Sequence, residues 1–282
     1  MSAAATSAPR RARSRGALLD RIGLYALAII LALWTLVPIY LIAIAAFSEK
    51  VAVFEYPKAL LPTRFSTETM SFFVGSAGVI NSVKNSVIVA LGTIVVALAL
   101  GTPAGYALSR FRFPGRDGFQ LAVLSSKMFP MAILAIPLAV TFIDLGLYDK
   151  LLGVIIVHSA MVLPFVIIVT AGVFASVSRE LEEAAQTLGT SRVGAFTRVA
   201  LPLALPGMAA AAIFAFVTSW NEVFAATILT LRERTLPALV VASLNQSPLY
   251  FKFAGGFFLI IPSLFFIWFM RKYLFTLWGP GR

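Results

Sequence analysis

Apolar positions in this chain come in long unbroken blocks, not in the one-sided or alternating patterns of a water-soluble fold. Six blocks stand out: Ile22 to Phe47, Ser86 to Leu108, Phe119 to Ile143, Leu151 to Val177, Leu203 to Leu231 and Phe253 to Met270. Each is near the ~20 residues that an α-helix needs to cross bilayer hydrocarbon. The first carries no charge, and the last closes on Arg271-Lys272. Lipid cannot satisfy backbone polar groups, so blocks of this length predict helices that bond internally. The expected fold is all-α, a polytopic membrane protein with about six transmembrane helices. Pro130, Pro137, Pro164 and Pro262 fall inside the blocks and predict interruptions at membrane depth.

One stretch between blocks breaks the pattern. In Glu182 to Pro202, EEAAQTLGTSRVGAFTRVALP, polar and apolar residues mix with a helical period. Ser178 is placed to cap a helix, and Glu180, Glu182 and Glu183 put negative charge in its first turn. Leu181, Ala184, Ala185 and Leu188 recur at i, i+3, i+4 and i+7 and form one narrow apolar face. Gly189 stands where a left-handed residue would end the helix. Thr190 or Ser191 can cap a second short helix that ends near Pro202. A helix-turn-helix with a small-residue face at a membrane surface is suited to docking.

Composition narrows the classes. The chain is 60% hydrophobic and 12% charged, against about 25% charged in soluble domains. It has no cysteine and one histidine, His158, which excludes thiol–metal frameworks and histidine clusters. The net charge of +11 is explained by topology. With the N-terminus inside, fourteen Lys/Arg fall on the cytoplasmic side and eight outside, while Lys127 lies within the third block; this is the positive-inside bias. It places the amphipathic loop in the cytoplasm and leaves no role for nucleic-acid binding. Residues 1–20 read as a disordered basic tail, 21–275 as the membrane domain with the loop at 179–202, and 276–282 as a short cytoplasmic tail. The first apolar block is too long for a cleaved signal.

Glu183-Ala184-Ala185, Gly189, Val199 and Leu201-Pro202, at their spacing, resemble the EAA signature of the membrane subunits of bacterial ABC importers. In that family the loop is the coupling helix seated in the cytoplasmic ATPase. Asn81-Ser82-Val83-Lys84-Asn85-Ser86, Ala104 to Gly115, Lys127-Met128-Phe129-Pro130, Ile136-Pro137, Leu145-Gly146-Leu147 and Trp220-Asn221-Glu222 resemble stretches of the maltose-type carbohydrate permeases. The similarity covers about residues 20 to 275. Two departures are Leu188, where an aspartate often precedes the motif glycine, and the ending Thr276 to Arg282, which lacks the family's Val-Lys-Gly tail.

The resemblance implies a type I ABC importer permease fold in the bacterial inner membrane, with both termini cytoplasmic. It implies a second homologous permease, two ATPase subunits and an extracytoplasmic solute-binding protein as partners. The substrate would be a sugar, polyol or small oligosaccharide, with a glycerol-phosphate-type solute as the rival. Glu182, Glu183, Ala184, Ala185, Leu188 and Gly189 would form the coupling surface. No Gly-x-x-x-x-Gly-Lys-Ser/Thr loop is present, so the chain is expected to be non-catalytic and to bind no cofactor, with ATP and magnesium on the partners. A secondary transporter would be expected to show internal repeats, and an intramembrane enzyme a catalytic constellation; neither is visible in the sequence.

Polar residues at membrane depth are costly and are candidates for function. Lys127 and Glu222 are the charged ones. Counting from the cytoplasm at 1.5 Å per residue puts them at depths of roughly 12 Å and 24 Å, too far apart to pair. Trp220, Asn221 and Glu222 offer ring, amide and carboxylate in one turn, an arrangement suited to a hydroxyl-rich solute, or alternatively to bonds between helices. With Lys127 they are the substrate-path candidates. Lys127 also fits packing or snorkelling, and His158 fits a satisfied core residue.

Overall fold

The computed structural model describes residues 15–57, 60–61 and 65–277. Among these, every regular element is a helix. The long ones are α1 (Arg15–Ala46), α3 (Val79–Arg110), α6 (Leu151–Ser176) and α12 (Leu249–Leu277). Shorter ones are α2 (Glu68–Gly75), α4 (Arg116–Ser125), α5 (Met131–Asp144), α7 (Arg179–Thr187), α8 (Arg192–Ala195), α9 (Leu201–Trp220), α10 (Phe224–Leu229) and α11 (Leu236–Ala242). Among the described residues five helices are long and apolar enough to cross a membrane, and six if one bent pair counts as a span. Helix α1 begins at Arg15, inside the tail expected to run to residue 20. The rest of that tail, and nearly all of the C-terminal one, lie outside the described residues.

Two blocks and the loop between spans differ in detail from their pattern. The third block is the bent pair, 116–128 and 131–144, turning by 87°. Phe129 and Pro130 are extended, with ψ of 117° and 125°, because a residue before proline is driven out of the α region. Pro137, Pro164 and Pro262 stay inside their helices. The second helix of the amphipathic loop does not stop near Pro202. It continues through a π turn at Phe196–Ala200 into α9, and Arg192–Trp220 forms one span. The π turn directly precedes Pro202, which lacks the N–H that would complete a regular ladder. The fifth span ends at Trp220, not near Leu231.

The centre is the pair α3 and α6. A Cβ on Gly101 would lie 2.6 Å from Val166 Cγ1, and one on Gly105 would lie 2.8 Å from the Ala171 nitrogen and 2.9 Å from the Ile167 carbonyl. Only hydrogen fits at these positions, four residues apart on one face, and the helices approach to backbone contact. Thr170 Oγ1 donates across this seam to the Gly101 carbonyl, 3.1 Å. Beside the pair, Phe73, Val79, Phe216, Trp220, Leu236 and Phe251 bring α2, α3, α9, α11 and α12 into one core.

The helix ends remote from α7 are tied by backbone capture. Asp149, at φ 56°, accepts from the N–H of Leu231, Arg232 and Glu233 at 2.8, 2.8 and 3.0 Å. Burial alone would raise its pKa, but those three N–H groups and the Arg232 charge outweigh burial and hold it below 3.8. Asn85 Nδ2 donates to Glu233 Oε2 (3.1 Å) and to the Arg234 carbonyl (3.2 Å), and Ser86 Oγ accepts from Leu236 N (2.7 Å).

Candidate functional site

The amphipathic loop folds as its residues dictate. Ser178 Oγ accepts from Glu180 N at 3.3 Å and starts α7. At the other end Gly189 adopts φ 90°. Thr190 N donates to the Ala185 carbonyl (3.0 Å) and Gly189 N to the Gln186 carbonyl (2.9 Å), the bond pair of a Schellman stop. An added Cβ at Gly189 meets nothing within 4 Å, so the requirement for glycine there is conformational, not steric. Ser191 Oγ then accepts from Gly194 N at 3.1 Å and opens α8.

Helix α7 leaves one ridge uncovered. Leu181 is 49% and Leu188 88% exposed; Ala184 and Glu183 are also exposed, and Ala185 is half-buried. Glu182 departs from the expectation that it belongs to this surface: it is only 4% exposed. It sits about 100° round the helix from Leu181, facing the C-terminal end of α3. There it meets Arg110 through Nε at 2.7 Å and Nη2 at 2.6 Å, and Tyr106 Oη at 2.5 Å. Arg110 Nη2 also donates to the Val177 carbonyl (2.9 Å), and Arg179 Nη2 to the Ser109 carbonyl (2.7 Å). A carboxylate so enclosed is held by its own chain and is not free to meet a partner.

The fifth-span candidates separate. Trp220 is 1% exposed, stacks on Phe216 and donates Nε1–H to the Leu259 carbonyl at 2.9 Å. It is a core residue and presents no ring to a solute. The Glu222 side chain, 8% exposed, pairs with His158 Nε2 at 3.0 Å. It also accepts from Ala225 N (2.8 Å) and Ala226 N (3.0 Å) and so caps α10. His158 Nδ1 contacts Ser219 Oγ at 2.8 Å, and Ser219 reaches Thr93 at 3.3 Å. The triplet that sequence reading offered to a solute is therefore mostly a helix terminator. Asn221 Nδ2 takes the Val217 carbonyl (2.8 Å) and Ser263 Oγ (3.2 Å), while Glu222 takes the N–H groups of the next helix. Only Asn221 remains exposed.

Lys127 lies elsewhere. It borders a cavity of about 430 Å³ in the elbow of the bent pair. Leu134, Leu138, Ile156, Val157, Met161 and Pro164 give apolar walls, and Ser126 and Thr218 add hydroxyls. Pro164, on the same cavity wall, is midway along α6. Its aromatic contact is the Phe214 ring, 5.4 Å from Nζ to centroid. Among the described residues no carboxylate pairs with it. No group of three or more His, Asp or Glu is placed to hold a metal among the described residues.

A profile described as the inner membrane component of binding-protein-dependent transport systems matches residues 97–274. The chain belongs to this family. The matched stretch contains α7, the Arg110–Glu182 pair, the His158–Glu222 pair and the cavity. The permease is 31% identical over 195 residues to the diacetylchitobiose uptake system permease DasC of Streptomyces coelicolor, covering 69% of this chain and 71% of that one. It is 34% identical over 168 residues to the molybdate/tungstate transport system permease WtpB of Thermococcus kodakarensis, covering 60% and 68%. A solved bacterial ABC transporter that imports the acidic polysaccharide alginate superposes with a TM-score of 0.72 at 26% identity, over 92% of this permease and 98% of that chain. The permease has the fold of an ABC importer membrane subunit.

Proposed function

We propose that this permease moves a sugar, polyol or small oligosaccharide into the cell by alternating access, driven by ATPase partners that seat α7. The observation that carries the reading is the ridge of α7: Leu181, Ala184 and Leu188 lie open to solvent on a helix whose other face is locked to α3. A loop evolved only to connect spans would not present Leu188 to water. The carbohydrate class is supported by the diacetylchitobiose and alginate relatives. ATP and magnesium would sit on the partners, and this chain would carry no cofactor. A second permease would close the open side of the Lys127 cavity, and a solute-binding protein would deliver at the outer face. The basic residues around α7 support a cytoplasmic loop, with both termini on the cytoplasmic side of the bacterial inner membrane.

A second reading is favoured by one observation. Among the described residues Lys127 puts a cation with no carboxylate partner on a cavity walled by the middle of α6, which suits an anionic solute such as a glycerol phosphate, and an oxyanion permease is among the relatives. The test is uptake by the reconstituted complex in proteoliposomes, with labelled neutral sugars, polyols and glycerol phosphate. ATP-dependent entry of a neutral sugar supports the first reading. Entry of anions alone, abolished by Lys127→Met, supports the second. Uptake driven by an ion gradient without ATP overturns both.

A further inference from the structure

We propose that α3 is a lever that carries the displacement of α7 to the outer face of the permease. Its inner joint is Arg110–Glu182 and its outer joint Asn85–Glu233. The proposal rests on the coupling role given to α7 above.

The inner joint immobilises α7 in two directions. The Arg110 guanidinium grips Glu182 through two nitrogens, 2.7 and 2.6 Å, with both side chains under a tenth exposed. The same guanidinium holds the Val177 carbonyl at 2.9 Å, which is the point where α6 would hinge against α7. Arg179, on α7 itself, ties back to the Ser109 carbonyl at 2.7 Å. Apolar contacts would let a surface helix slide. Here two guanidinium nitrogens hold Oε1 and Tyr106 Oη holds Oε2, so both oxygens of the buried carboxylate are fixed. A push on the exposed ridge therefore moves the end of α3; it cannot simply swing α7.

The shaft between the joints is stiff. Helix α3 has 32 residues, about 46 Å at 1.5 Å per residue. Its weak point is Pro103. That residue lies between Gly101 and Gly105, where the backbone presses against α6, so the helix is braced there. At the far end Asn85 and Ser86 hold the 230–236 loop through Glu233, the Arg234 carbonyl and the Leu236 N–H. Asp149 holds the same loop from its other side. A displacement of the shaft thus arrives at an outer loop gripped between two spans.

The chain has no cysteine, so two introduced ones report cleanly. Spin labels at Lys84→Cys and Gln186→Cys, both exposed, sit on α3 and α7 of the full complex. In the otherwise unaltered permease their distance should differ by less than about 2 Å, the scale of helix shifts, between nucleotide-free and ATP-trapped states. A larger change overturns the lever, whatever the variants do. With Glu182→Gln the distance should become state-dependent, and solute imported per ATP hydrolysed should fall about fivefold or more. Asn85→Ala should lower the same ratio from the other end, and Arg112→Gln, a neighbouring exposed residue, should leave it unchanged. If Glu182→Gln does not assemble, Asn85→Ala decides, and an unchanged ratio there overturns the proposal. Failure of the unaltered complex to couple ATP to uptake would instead sink the coupling reading.

Discussion

Glu222 gives the clearest quantitative test of how the fifth span is built. Its carboxylate accepts from His158 Nε2 at 3.0 Å, Ala225 N at 2.8 Å and Ala226 N at 3.0 Å, in a setting where its side chain is 8% exposed. Glu222→Ala removes all three acceptor contacts and strands His158 against Ser219. Deleting one partner of a buried pair costs about 3–5 kcal/mol. Glu222→Gln keeps one oxygen for an α10 amide but loses the charge and turns the second acceptor into a donor, for about 1–3 kcal/mol. For the solubilised complex, the thermal midpoint followed by loss of the monodisperse peak should fall on the order of 10 °C for Glu222→Ala, and by less for Glu222→Gln. The double variant His158→Ala/Glu222→Ala should be milder than the sum of the singles by about 1–3 kcal/mol, since the two residues share one contact. Surviving complex should keep its solute preference. If Glu222→Ala leaves the midpoint within a degree or so and changes which solute is carried, the carboxylate faces the path and the structural assignment is wrong.

Three further outcomes follow from the geometry. Gly105→Val drives a side chain into the Ala171 nitrogen and Ile167 carbonyl; the yield of folded permease should collapse, whereas Gly172→Ala, with nothing within 4 Å, should express normally. Ala184→Trp and Glu183→Lys alter the exposed face of α7; both should abolish uptake and recovery of the ATPase while the permease itself stays folded, and normal transport in both would remove the basis for coupling. Asp149→Asn should speed hydrogen exchange at the amides of Leu231, Arg232 and Glu233 at neutral pH, for a loss of about 1 kcal/mol. Because the Asp149 pKa is lowered from 3.8, its stabilisation is complete above that value and lost only as pH falls through the lowered one, so the protection of these amides relative to their intrinsic exchange rate should stay flat from neutral pH down to about 4.

What sequence reveals here depends on range. The spans are visible because a bilayer demands some 20 apolar residues in a row, whatever surrounds them. The α7 stop is visible because Gly189 and its neighbours bond among themselves. The end of the fifth span was hidden: Trp220, Asn221 and Glu222 continue an apolar run, and only His158, on α6, shows why the carboxylate leaves the helix there. The elbow at Phe129-Pro130 was half visible. Proline marks an interruption, but the 87° turn, and with it the cavity beside Lys127, goes with packing of α4 on α6 and of α5 on α10, which are remote in sequence.

Glu182 and Glu183 show where the limit lies most sharply. They are adjacent, identical and equally placed for the dipole of α7, and one is buried while the other is exposed. Two signals separate them without coordinates. On a helical wheel the two point about 100° apart, so only one of them can enter a given corner between helices. At the inner end of the second block, Tyr106 and Arg110 are four residues apart and share one face of α3, offering a phenol and a guanidinium together. A carboxylate entering that corner has both ligands waiting, and Tyr106 Oη and Arg110 do converge on it. Reading the end of one span against the start of the next loop, and not each alone, divides the acidic cluster into one residue that anchors α7 and one that is left to face a partner.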